Sequence, residues 1–224
     1  SLFLILLRSD FFDKKLFSLQ KISKLIENDK NKEIMIEFLN KNLDEIISIP
    51  IHSEFGSYLG AIYGFAASNN LFNIDKIKNI WQQEEFVHPS ILQSFYSIFE
   101  ILSNKLPETE SVEYSNVIVE TKKEPPTQIW FHLISTVAQN FMKNKFKDAF
   151  EILRNKIWSF AFPPKNEEDK KELTQFEKNA RRTLIDLCKY NSQQFIEKVL
   201  TSFSDIDDFC LELIQTAASG SEKL

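Results

Sequence analysis

Over residues 73–106 the apolar positions recur every three or four residues, the spacing that lines one face of a helix. Asn73, a capping residue type, precedes a stripe of Ile74, Ile77, Ile80 and Trp81. A polar break at 82–88 follows. Pro89 then stands at a first-turn position, where its missing N–H costs nothing, and opens a second stripe of Ile91, Leu92, Phe95, Ile98, Phe99 and Leu102 that Pro107 closes. Two apolar faces joined by a short break predict an antiparallel helical hairpin.

The same rhythm runs through most of the chain. Residues 2–7 read as the end of a helix, followed by a helix carrying Leu16, Leu19, Ile22, Leu25 and Ile26. Residues 33–40 predict another, with Ile34, Met35, Phe38 and Leu39 inward, and 43–49 a short apolar turn or helix stopped by Pro50. Ser53 is the expected cap of the next helix, where Gly56, Gly60 and Gly64 fall on one face. That spacing also occurs in membrane dimer motifs, but Glu54, Ser57 and the shortness of the run favour close approach of a neighbouring helix. Residues 127–141 and 148–160 predict a further pair, the first with Ile129, Trp130, Leu133, Ile134, Val137 and Phe141 apolar and its partner with Phe150, Leu153, Ile157 and Trp158 on or near the stripe. Residues 167–190 read as a long helix with an acidic start and with Leu173, Phe176, Ala180, Leu184, Leu187 and Cys188 inward. Ser192 and Ser204 are the expected caps of two last helices, and 219–224 of a frayed tail.

One stretch breaks the pattern. Residues 108–126 begin acidic, continue as VIVE and end in TKKEPP, which predicts a β-like or extended segment between prolines: a long inter-repeat loop or, as the functional alternative, a recognition segment laid on a groove.

Composition sharpens this picture by exclusion. Among 224 residues, 43% hydrophobic, four Gly and seven Pro are too few for the tight turns of an all-β fold. The 21 Phe point to helix contacts filled by flat rings. At a net charge of −5, with no basic stripe, nucleic acid is not an expected partner. The opening LFLILL is too short for a membrane span and lacks the basic flank of a secretory signal, so no membrane partner is expected either. Two cysteines, Cys188 and Cys210, build no disulfide framework and suggest a reducing, cytoplasmic location. The absence of Met at position 1 suggests a piece of a longer protein.

Candidate chemistry is sparse. His52, His88 and His132 sit in different helical units with no second ligand at zinc spacing. The glycines lack the strand and the Lys-Ser/Thr ending of a phosphate loop. Cys188 lies on an apolar stripe, where a thiol is a small hydrophobe rather than a nucleophile, and Glu167, Glu168 and Asp169 read as a solvated helix start. The sequence therefore nominates no catalytic, cofactor-binding or metal-binding residue, no cofactor and no small-molecule ligand.

Two features suggest a repeat. Ile80-Trp81 and Ile157-Trp158 each place a Trp in the last turn of a helix before a break, 77 residues apart. That is close to two periods of about 40 residues, the length of a helical-pair repeat. With about ten to twelve short helices and no charged heptads, the expectation is an all-α fold, an α-solenoid of armadillo/HEAT-like antiparallel pairs forming one segment over residues 1–224.

The order of motifs resembles the non-catalytic region of the very large ubiquitin-specific proteases of the fat-facets type. Residues 7–22, LRSDFFDKKLFSLQKI, look like that family's short run, Phe and helix; residues 74–81, IDKIKNIW, followed by Gln82, Gln83, Glu84 and His88, resemble its L-x-x-I-W helix and polar stretch. Residues 157–161, IWSFA, resemble its L-W-N-L-A. The match covers about residues 7 to 160. The family's Cys and His boxes have no counterpart here, so no catalytic residue carries over. The resemblance implies a scaffold or substrate-recruiting segment of a deubiquitinase whose thiol protease domain lies elsewhere, with a ubiquitinated substrate or complex subunit as protein partner. The rival reading is a HEAT/armadillo-type adaptor in transport or assembly with no enzymatic parent.

Overall fold

The structure, a computed structural model, describes residues 2–120, 127–162, 174–189, 192–202 and 208–221. Among them all regular structure is helical: α1 (Leu2–Leu7), α2 (Phe12–Ile26), α3 (Lys32–Ile47), α4 (Gly56–Ser68), α5 (Ile74–Trp81), α6 (Leu92–Ser103), α7 (Glu108–Val119), α8 (Gln128–Lys143), α9 (Lys147–Ala161), α10 (Gln175–Cys188), α11 (Ser192–Ser202) and α12 (Asp208–Ser221). Short 3-10 turns span Asp29–Asn31, Gln82–Phe86 and Pro89–Ile91. The chain divides into two compact units, Ser1–Ile129 and Trp130–Leu224.

In the first unit α1 packs on α2, and the helices then pair with their next neighbours but one: α2 with α4 and α4 with α6, α3 with α5 and α5 with α7. The predicted hairpin of α5 and α6 is thus modified. Each lies along a helix of its own row, and the two meet through the Trp81 ring, whose centroid stands 6.0, 5.9 and 4.8 Å from those of Phe95, Tyr96 and Phe99. All four side chains are buried. Edge-on and offset ring contacts of this kind add to the burial of their area.

The glycine face does what its spacing predicts. A Cβ on Gly56 would stand 2.8 Å from the Ser94 Cβ and 3.2 Å from the Ser94 carbonyl oxygen; on Gly60 and Gly64 it would meet the Ile101 side chain at 2.7 and 2.9 Å. The absent side chains let α4 and α6 approach closely.

Several local expectations give way to tertiary packing. α3 is one continuous helix because Leu43, Ile46 and Ile47 extend the buried stripe of Met35 and Leu39; Ile34 faces out at 68% exposure. Ser53 caps nothing: α4 starts at Gly56, and the N–H groups of Phe55 and Gly56 donate to the His52 carbonyl. The loop expected at 108–126 is corrected over Glu108–Val119, which is helical. Its β-branched residues mislead because burial decides: Tyr114 and Ile118 sit fully inside, one turn apart, and the Tyr114 hydroxyl donates to the Phe99 carbonyl at 2.6 Å. Residues 121–126 lie outside the described residues.

In the second unit α9 packs on α10, α10 on α12, and α11 on α12. Phe131 of α8, Phe160 of α9 and Phe176 of α10 form a triangle with ring centroids 4.9 to 5.9 Å apart. α10 starts at Gln175, later than expected, behind a capping box in which the Thr174 hydroxyl accepts from the Glu177 N–H and the Glu177 carboxylate accepts from the Thr174 N–H. Leu173, Ser204 and the acidic trio at 167–169 lie outside the described residues. Ser192 is the first residue of α11 rather than a flanking cap, and Ser219 is still helical.

Two helices stop in the same way. α4 and α8 end with Asn70 and Lys145 at positive φ, 58° and 65°. After α4, Leu71 N–H donates to the Ala66 carbonyl and Asn70 N–H to that of Ala67; after α8, Phe146 donates to Phe141 and Lys145 to Met142. This pair of backward bonds is the Schellman motif, and the Phe141–Phe146 ring contact at 5.8 Å supplies its hydrophobic component.

Candidate interaction surface

The residues that carry the family resemblance are placed for packing. Asn73 caps α5 by accepting from the Lys76 N–H at 3.1 Å, and Ile77, Ile80 and Trp81 are buried. The Trp81 indole N–H donates to the Glu120 carbonyl at 3.1 Å, tying α5 to the end of α7. His88 accepts from the Ser90 N–H through Nδ1 and caps the turn before α6. In the second unit Trp158 is 9% exposed, with the Lys198 ammonium 5.0 Å from its ring centroid.

The remaining histidines and the cysteines are likewise dispersed. His52 stacks its ring near Phe12 and Phe55, at 4.8 and 5.7 Å. Cys188 and Cys210 are both buried; burial pushes the Cys188 thiol up to about 11, which keeps it protonated. Among the described residues no group of three or more His, Cys, Asp or Glu is placed to hold a metal ion, and no helix is long and apolar enough to cross a membrane.

What the first unit does offer is a groove. The segment after α3 and the 3-10 turns ahead of α6 run side by side, fixed by the Gln83 amide donating to the Ile47 carbonyl at 3.1 Å. Between them lies an open depression of about 400 Å³ lined by Ser48, Pro50, Ile51, Gln83, Phe86, Val87 and Ile91. Ile51 and Val87 are buried in it, whereas Phe86 is 83% exposed, the most exposed large apolar side chain among the described residues. The neighbouring Glu84 turns the other way: it is fully buried and accepts a hydrogen bond from the Tyr96 hydroxyl. That bond ties the 3-10 turn to α6.

Charge is uneven around this groove. Residues 48–54 and 82–91 contain no Lys or Arg, and their exposed carboxylates are Glu54 and Glu85. A smaller depression of about 190 Å³ beside Lys78, Trp81, Gln82, Val117 and Glu120 carries a mixed rim instead, where Lys78 pairs with Glu113. That hydrogen bond raises the Lys78 pKa above its ordinary value.

In the second unit two arginines, Arg154 and Arg181, are drawn against aromatic rings. Arg154 is 5% exposed, pairs with Glu151 and lies 5.4 Å from the Phe195 ring; burial lowers its pKa. Arg181 lies between the Phe162 and Phe209 rings, at 5.0 and 4.8 Å, where a weakly hydrated guanidinium binds aromatic faces well.

No family model and no curated protein matches the chain. Among solved structures, the crystal structure of an engineered protein is similar at a TM-score of 0.49, with 10% identity over 99% of this chain and 95% of that one. That likeness is too slight to carry an argument.

Proposed function

We propose that this chain is a non-catalytic α-solenoid segment that presents protein-binding surface within a large ubiquitin-specific cysteine protease. The observation that supports the scaffold reading is the packing of the first unit in two rows, α2–α4–α6 and α3–α5–α7. Contact with the next helix but one is how stacked helical pairs build a continuous core from repeats that cannot bury their faces alone. The deubiquitinase parent rests on the motif order around Leu16, Trp81 and Trp158. In that setting the segment holds substrate or partner subunits near a protease domain and itself performs no chemistry.

The test is the full gene product incubated with a ubiquitin whose C-terminus carries a thiol-reactive group. The expected result is a covalent adduct on the whole protein and none on residues 1–224. A native chain that continues only as helical repeats and forms no adduct would replace this reading with the adaptor of transport or assembly.

A further inference from the structure

α2 buries Leu19 and Ile22 and is held at that rotation by two bonds to other helices. The Ser18 hydroxyl donates to the Phe3 carbonyl of α1 at 3.0 Å, and the Gln20 amide donates to the Tyr58 hydroxyl of α4 at 3.3 Å. The side left in solvent carries Lys14, Phe17, Lys21 and Lys24, whose spacing of three, four and three residues sets them in one row along the helix. Four phenylalanines are exposed among the described residues, and three of them, Phe11, Phe12 and Phe17, lie on or beside this helix. Phe12 stacks on Phe55, whereas Phe11 and Phe17, 66% and 47% exposed, are met by lysine. The Lys14 ammonium stands 4.5 Å from the Phe11 ring centroid, and that of Lys21 5.2 Å from the Phe17 centroid. Charge is concentrated here as well: residues 11–26 hold four lysines and one carboxylate, Asp13, in a chain with 32 acids and 27 bases. Exposed lysines also crowd the turn from 143 to 147, but the ring among them, Phe146, packs on Phe141 at 5.8 Å. Among the described residues, exposed phenylalanine and lysine are interleaved only on α2.

We infer that this face of α2 docks an acidic segment of a partner protein, whose carboxylates pair with Lys14, Lys21 and Lys24 and whose apolar side chains pack on Phe17 and Phe11. The inference rests on the scaffold reading, to which it gives a site and a ligand chemistry, and it does not require the protease parent. Charge complementarity selects an acidic occupant, because a row of lysines attracts carboxylates and repels a basic partner. The extent of the positive face selects a short segment over a long polyanion. From Lys14 to Lys24 the row covers about 15 Å of helix axis, and acids return at Asp10 and Glu27 just beyond its ends. A nucleic acid or an anionic bilayer laid on it would run on to the rest of a chain whose net charge is −5. The rings supply what the charges lack, since exposed ion pairs add little alone and an aromatic side chain covered by a partner adds much. The bonds of Ser18 and Gln20 hold the face preformed, so little ordering cost falls on the protein when the segment binds.

The probes are two fluorescein-labelled synthetic peptides with the same Leu-Phe anchor, one flanked by Glu and Asp, the other by Lys, titrated by anisotropy at an ionic strength of about 10 mM, where screening is weak. The acidic peptide should bind residues 1–224 saturably, and the basic one should not. Binding should weaken about tenfold or more with Phe17→Ser, as expected for loss of a hot-spot anchor. The triple charge reversal K14E/K21E/K24E should exchange the preference, losing the acidic peptide and gaining the basic one. All four side chains are exposed, so far-UV circular dichroism and melting temperature should match the parent chain. The inference is overturned if the acidic peptide does not bind, if Phe17→Ser leaves its affinity unchanged, or if charge reversal does not exchange the two peptides. It is equally overturned if phosphatidylserine vesicles or single-stranded DNA bind more tightly than the acidic peptide and lose that binding in the triple reversal, which would make the occupant a bilayer or a nucleic acid. Each failure removes this docking face and leaves the scaffold reading to its own test with the ubiquitin probe.

Discussion

The indole N–H of Trp81, the last residue of α5, donates to the carbonyl of Glu120, the residue that ends α7. The same ring contacts Phe95, Tyr96 and Phe99, so one side chain joins three helices. Trp81→Ala should destabilise the first unit by about 3–5 kcal/mol through lost transfer energy and a residual cavity. Trp81→Phe keeps most of the ring and loses the hydrogen bond, for about 1–2 kcal/mol. Urea unfolding followed by circular dichroism separates the two; equal costs would mean that the hydrogen bond contributes nothing.

The glycine face of α4 should respond unevenly to alanine. At Gly56 the new methyl meets Ser94 Cβ and backbone, which cannot yield; at Gly60 and Gly64 it meets the Ile101 side chain, which can turn. Gly56→Ala should therefore cost most, even though alanine gains about 1 kcal/mol of helix propensity over glycine. Adding Ser94→Gly should recover part of the loss of Gly56→Ala, and a double-mutant cycle with no coupling would contradict the close contact.

Lys145 occupies a left-handed position that glycine fills at least cost. Lys145→Gly should stabilise the second unit by roughly 0.5–1 kcal/mol, with Lys145→Asn in between, measured by thermal melts. A destabilising Lys145→Gly would show that the side chain contributes more than its backbone strain costs.

Alkaline pH should weaken the first unit through two phenols. Tyr63 and Tyr114 are buried, and their hydroxyls donate to the Ile46 and Phe99 carbonyls. Burial raises both pKa values above that of a free tyrosine, the charge of Glu100 adding to the effect at Tyr114. The unfolded chain gives up these protons first, so their contribution to stability is complete below about pH 10 and is lost as the pH rises from there towards the folded-state values. Phenolate absorbance from these two residues should rise together with loss of helical circular dichroism. Full ionisation in a chain that remains helical would refute this.

Cys188 follows the same rule. With its thiol held up at about 11, the nucleophilic thiolate is scarce in the folded protein at mildly alkaline pH. A disulfide reagent should label Cys188 only after urea is added, and prompt labelling of the native chain would contradict the burial.

Sequence pattern alone determined the helical class, the stripe residues and some of the ends. Helix periodicity is a local property, so Leu19, Ile22, Phe95, Phe99, Leu184 and Leu187 could be assigned inward without knowing what they touch, and all are buried. Asn73 was legible as a cap for the same reason. The glycine spacing announced a close approach, and only the tertiary structure named α6 as the helix that approaches.

Other features depend on contacts distant in sequence. The helix at Glu108–Val119 reads as a loop because its residues favour strands, and it forms because Tyr114 and Ile118 have a core to enter. Lys145 gives no signal of its left-handed conformation, which is set by the backward bonds closing α8. The pairing of helices with their next neighbours but one, and the groove that leaves Phe86 in solvent between two segments some 35 residues apart in sequence, arise only when the rows assemble. Periodicity says which face of a helix is buried; packing decides against which partner, and which apolar residues are left in solvent.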